Sequence, residues 1–214
     1  MIKIGIDLAV RTVGLAIKKD NQFKYESYTS KEKNYTLLQI EMTDWVFNKI
    51  DNESSYIKGQ HSLIIEDLFV GLDPTSSLDA AKVHGSVIYE YNKRTKLFPK
   101  IVGAIGARNL VNIASRASKA EIQMAVIDKL GLGLVTNEVR GEIVSLRNHY
   151  ELIKKRILEQ KKIASSILKE KLNRDQSEAK RIMDNGFNRM STQIRNQTGI
   201  NEHMADALVL VMGD

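Results

Sequence analysis

A chain of 214 residues with 43% hydrophobic content is enough for one closed core and an insertion. The absence of cysteine excludes disulfides, thiolate metal sites and cysteine nucleophiles. No apolar run approaches the roughly 18 residues of a membrane span, and Met1 to Gly5 read as a strand and not as a leader, so the expected compartment is the cytoplasm, with no membrane partner.

In chain order, residues 2–7, 13–18 and 23–28 alternate as strands joined by short turns, which predicts an antiparallel meander. Helical spacing follows over 36–50. A strand at 62–67, a loop at Gly71-Leu72-Asp73-Pro74, a helix from about Ser77 to Thr95 and a strand at 100–104 after Pro99 extend a mixed α/β order. Two further helices are expected at 107–114 and 118–130, the second with Ile122, Ala125, Val126, Lys129 and Leu130 spaced to give one face.

From 136 the character changes. Val139, Ile143, Leu146, Tyr150, Ile153, Ile157, Gln160, Ala164, Ile167 and Lys171 are spaced by alternating fours and threes, the spacing of a heptad seam. Asn173-Arg174 interrupts it, and Asp175-Gln176-Ser177-Glu178 has the form of a capping box restarting a helix, so a helical hairpin turning near 173 is expected. Residues 136–199 hold 14 Lys and Arg against 8 Asp and Glu, which is the whole net charge of +6. A neutral body with one basic segment favours a polyanionic partner, although a long exposed helix also needs a charged face for solubility.

Two strands run straight into a carboxylate, Ile2 to Ile6 into Asp7 and Ser62 to Ile65 into Glu66, so each carries its acid to the rim of a sheet. Near the C-terminus His203 and Asp206 are three apart and share one face of the last helix. Singly each has an ordinary explanation: a turn acid, a solvated strand end, a surface cap. Jointly, four acid or imidazole groups from three distant places suggest a metal-dependent nuclease.

Ile4-Gly5-Ile6-Asp7-Leu8 through Val13-Gly14-Leu15-Ala16-Ile17, Ile64-Ile65-Glu66-Asp67-Leu68-Phe69, Ser118-Lys119-Ala120-Glu121-Ile122-Gln123 and His203-Met204-Ala205-Asp206-Ala207 together resemble a RuvC-type Holliday junction resolvase. The resemblance covers about residues 1–133 and 200–214. It implies an α/β, RNase H-like fold: a five-stranded mixed sheet flanked by helices, here as a single nuclease domain of residues 1–214 with a long basic helical-hairpin insertion at about 136–199. That insertion matches nothing in the bacterial enzymes and suggests a bacteriophage or mobile-element origin, in which case the compartment is a bacterial host's cytoplasm.

The resemblance further implies a homodimer acting on branched DNA, above all four-way junctions, with Asp7, Glu66, His203 and Asp206 as catalytic metal ligands. Carboxylates suit Mg²⁺, the imidazole at His203 tilts the preference toward Mn²⁺, and Glu202 is a spare candidate for the same slot. Two such ions about 3.5–4 Å apart would activate water and stabilise the leaving 3′ oxygen. Phe69 falls where the family stacks an aromatic on opened bases, an interaction worth about 1–3 kcal/mol. Arg108 and Lys119 fall at basic positions that clamp phosphates.

Rival readings are a transposase-like nuclease on the same fold and an actin-like ATPase, whose phosphate hairpin resembles Ile4 to Ile17 but whose second glycine-rich loop is missing here. A third is a non-catalytic branched-DNA-binding protein, against which the intact acid set argues.

Overall fold

The computed structural model describes residues 1–53, 61–68 and 74–213. The chain forms two compact units, Met1–Arg116 with Glu202–Asp214, and Ala117–Asn201. The second unit thus begins with the helix before the basic segment, well ahead of residue 136.

The first unit is built on β1 (Ile2–Leu8), β2 (Thr12–Lys19), β3 (Gln22–Thr29), β4 (His61–Glu66) and β5 (Lys100–Val102), with α1 (Tyr35–Glu53) and α2 (Pro74–Thr95) between them and α3 (Ala104–Leu110) after β5. The sheet order is β3-β2-β1-β4-β5, antiparallel across β1, β2 and β3 and parallel across β1, β4 and β5. A five-stranded mixed sheet flanked by helices is what the resemblance implies. The last helix, α7 (Glu202–Met212), belongs to this unit.

Side-chain alternation gives the sheet two different faces. Ile4, Ile6 and Leu8 pair across to Ile17, Leu15 and Val13 on β2, and Ile4 and Ile6 to Leu63 and Ile65 on β4. These join Leu38, Met42, Val46 and Phe47 of α1 and Val83, Val87 and Tyr91 of α2 in one buried cluster. The opposite face carries Gly5, Ala16 and Gly14 in its central strands, almost no side chain at all, and α7 packs directly onto β1 and β2. The carbonyls of Ala207 and His203 lie where Cβ atoms at Gly5 and Gly14 would have to be. A glycine inside a strand marks such close approach.

The second unit consists of α4 (Lys119–Leu130), α5 (Asn137–Ile163) and α6 (Ser166–Thr198). Its core is drawn from Ile122, Val126 and Ile127 of α4, Val139, Ile143 and Ile157 of α5, and Leu172, Met183, Phe187, Met190 and Ile194 of α6. Gln123, fully buried, donates its amide to the carbonyl of Ile200 at 2.8 Å. Ser118 and Glu121 form a reciprocal capping box that opens α4.

The hairpin is present, but its turn lies at Ala164-Ser165 and not at Asn173-Arg174. The residues read as a capping box sit inside α6 and are otherwise engaged: the Ser177 hydroxyl donates to the Asn173 carbonyl one turn back, and Glu178 pairs with Arg181 at 2.7 Å. Along the heptad seam Val139, Ile143 and Ile157 are buried and Leu146, Tyr150 and Ile153 half-buried; past Ile157 the seam opens, and Ile167 is 82% exposed.

Candidate active site

Asp7 and Glu66 are each the residue after the last parallel pair, Ile6 beside Ile65, so they leave neighbouring strands together at the same rim. Two steps from Gly5, Asp7 points to the face covered by α7, and Glu66, two steps from Ile64, shares that face. Placing α7 there brings its first turn, with Glu202, His203 and Asp206, over the same rim. Sequence distance is cancelled by a parallel register and one helix laid on glycines.

Nδ1 of His203 lies 2.5 Å from Oδ2 of Asp7. A carboxylate oxygen accepts, so the Nδ1–H of His203 donates, which fixes the ring and leaves Nε2 turned toward Glu202 Oε1 at 3.7 Å. Burial pushes the Glu66 carboxyl up to about 8, and the charges of Asp206 and Asp7 push it the same way, against the opposing pull of Arg108 and His203. Three acids therefore share one field, and one of them holds its proton at neutral pH. Arg108, on α3, donates to the Ser115 carbonyl at 3.2 Å and supplies the largest positive influence on Glu66 in that balance.

Lys119 is exposed at the start of α4 in the second unit, and Phe69 lies outside the described residues. The donor chemistry fits a hard divalent cation, because carboxylates held against one another and an imidazole fixed by a carboxylate are what such an ion relieves and uses. Among the described residues no three of these groups converge closely enough to hold a metal as they stand.

Two features of the site were not legible in the motifs. Gly5 and Gly14 seat α7, and the signal for them was a glycine in the middle of each of two facing strands. His84, buried on α2, has its Nε2 3.4 Å from the Leu8 carbonyl, and burial lowers its basicity against the pull of Asp7 and Asp67. It is a neutral brace behind the rim, and on α2 it looks like any other residue of the inward face.

No protein-family model matches this chain, and neither does any curated protein. Among solved structures it is similar to RuvC of Thermus thermophilus in complex with a Holliday junction substrate, at 15% identity and TM-score 0.49 over 61% of this chain and 79% of that one. A second Thermus thermophilus RuvC structure gives 16% identity and TM-score 0.49 over 64% and 84%. A Ppx/GppA family member from Aquifex aeolicus gives 9% identity and TM-score 0.32 over 99% and 98%. What the site does rests on its own residues.

Proposed function

We propose that this chain is a divalent-metal-dependent endonuclease of branched DNA, with four-way junctions as its principal substrate. One observation carries the reading: Glu66 is driven to about 8 by burial and by Asp206 and Asp7, three carboxylates that share one field at a sheet rim. A bound Mg²⁺ or Mn²⁺, or a pair of them, would supply the charge that neutralises these acids and a scissile phosphate and activates water for in-line attack.

Each residue then has a task. Asp7, Glu66 and Asp206 would present oxygens to the ion, and Glu66 would serve as a charged donor only in its deprotonated form. His203 holds Asp7 in orientation through Nδ1–H and keeps Nε2 as a further donor atom. Arg108 offers its guanidinium to a phosphate oxygen next to Glu66. The nearly two-fold symmetric junction must be nicked on two strands, so a homodimer presenting two rims suits it, and residues 136–199 read as an elaboration inserted before the last site helix.

The test is cleavage of a synthetic four-way junction with and without metal. Cutting in Mg²⁺ or Mn²⁺, with 5′-phosphate and 3′-hydroxyl ends, is expected; full activity in EDTA overturns the reading. In Ca²⁺, Asp7→Asn and Asp206→Asn should bind the junction as the parent chain does while failing to cut when Mg²⁺ is supplied. Binding without cutting by the parent chain itself would assign it to the non-catalytic binders of branched DNA.

A further inference from the structure

The tip of the α5–α6 hairpin carries an exposed aliphatic cluster that folding does not use. Ile163 closes α5 at 91% exposure, Ile167 and Leu168 open α6 at 82% and 46%, and Leu158 on the preceding turn is 47% exposed. Around it, residues 155–174 hold seven Lys and Arg against Glu159 and Glu170. All seven are exposed except Lys161, which is half-buried and donates to Gln176.

The turn itself adds a third element. Ser165 precedes the 33-residue α6 without capping it through its side chain, and the first turn of α6 has no acidic residue. The leading amides of α6 therefore face outward at the apolar tip with the positive end of the helix behind them.

From this combination we infer that the hairpin tip is a nucleic-acid wedge: Ile163, Ile167 and Leu168 enter between bases at a distorted or branched step, while the surrounding Lys and Arg and the first amides of α6 hold the flanking phosphates. Aliphatic wedges of this kind unstack a base step, and a basic surround recovers the cost by neutralising phosphates. Two other occupants fit less well. Association of two tips would bring like charges together, and a membrane-surface segment draws on Trp or Phe at the interface, whereas no aromatic residue lies between Tyr150 and Phe187. The inference rests on the proposed reading of the chain as acting on branched DNA.

The experiment uses the full chain in Ca²⁺, a four-way junction with 2-aminopurine at the crossover, and a matched duplex. The parent chain should raise 2-aminopurine fluorescence on the junction. Replacing Ile163, Ile167 and Leu168 together by Ser should abolish that rise and weaken junction binding about tenfold, with duplex affinity and its salt slope unchanged. Replacing Lys162, Lys169 and Lys171 by Gln should weaken both substrates and flatten the slope of log affinity against log salt by about 0.9 for each phosphate no longer neutralised.

An unchanged fluorescence rise and junction affinity in the Ser variant overturns the wedge. So does a fall in sedimenting mass for that variant, which makes the tip a protein interface. Tighter binding of the parent chain to phosphatidylglycerol–phosphatidylcholine vesicles than to the junction, abolished in the same variant, makes it a lipid-binding tip. A chain that unstacks the crossover but never cuts in Mg²⁺ leaves the wedge standing and removes the nuclease reading; one whose cutting and junction binding ignore the tip does the reverse.

Discussion

Glu66 in the sheet unit and Glu121 in the helical unit are both half-buried, yet the first is protonated at neutral pH and the second ionised. Around Glu66 the next largest influences are Asp206 and Asp7, which add to the effect of burial. Around Glu121 burial is again the largest influence and pushes the carboxyl up, but the Arg147 guanidinium and the Ser118 amide and hydroxyl outweigh it and hold it below the usual range. The helical unit satisfies its acid with partners that also build the fold, a capping box and a fork from α5 to α4. The sheet unit leaves acid facing acid, a cost to stability that protonation of Glu66 relieves at neutral pH and that a bound cation would relieve above it.

The largest expected effect comes from neutralising the unsatisfied acid. Glu66→Gln should lower junction cleavage by about a thousandfold or more, since it removes a charged oxygen donor from the rim. The same change should stabilise the metal-free protein in alkali. The folded-state value of Glu66 is raised, so its contribution is present below the ordinary value near 4.5 and is lost as pH rises through about 8. Urea unfolding in EDTA should therefore show the parent chain losing on the order of a few kcal/mol across that window, and Glu66→Gln losing much less. Mg²⁺ should restore the parent at high pH and do little for the variant. Identical pH profiles for the two proteins would remove Glu66 from the shared field.

Gly14→Ala tests the seat of the site and not its chemistry. The new Cβ meets the His203 carbonyl, so the first turn of α7 must lift from β2. A shift of that kind displaces His203 and Asp206 and should reduce cleavage by about 10- to 100-fold, with a stability loss of about 1–3 kcal/mol. Junction affinity in Ca²⁺ should hold. Full activity in the variant would show that α7 is not fixed by this close approach.

The sheet was legible because its strands alternate and end in turn residues, and the site because two of those strands end in acids. The seat of α7 was not, since what matters at Gly5 and Gly14 is an absent side chain facing a helix from the far end of the chain. The hairpin turn was misplaced for a related reason. Asp175 to Glu178 offer cap chemistry, whereas Ile163-Ala164-Ser165 contains neither Gly nor Pro, and only packing decides between them. Arg147 is one of the 14 basic residues of 136–199, but it forks onto Glu121 and lies over the Phe187 ring at 5.0 Å. A charge count cannot separate a cation held by the fold from one presented to a partner.

That fork gives the next prediction. Arg147→Met keeps an aliphatic stem over Phe187 and strands Glu121, which should cost about 1.5–3 kcal/mol in urea unfolding at neutral pH. The sign of the pH dependence is opposite to that of Glu66. Because the folded-state value of Glu121 is lowered, its contribution is present above the ordinary carboxylate value and is lost as pH falls through the folded one. The parent chain should therefore lose stability on acidification through this pair, and Arg147→Met, which keeps only the Ser118 hydrogen bonds to Glu121, should lose less, with cleavage chemistry intact in both.

The smallest effect comes from a glycine with nothing near it. Gly141 lies exposed in α5, and a Cβ added there meets no atom within 4 Å, in contrast to Gly14 and its carbonyl. A helix-interior glycine costs about 0.5–1 kcal/mol relative to alanine through backbone entropy, so Gly141→Ala should stabilise the chain by about that amount. Junction binding and cleavage should be untouched if that stretch of α5 faces water in the working protein. A stabilised variant with weakened junction binding would instead locate a close approach of DNA or of a second copy at Gly141, since the space needed by one methyl group would then be occupied only in the complex.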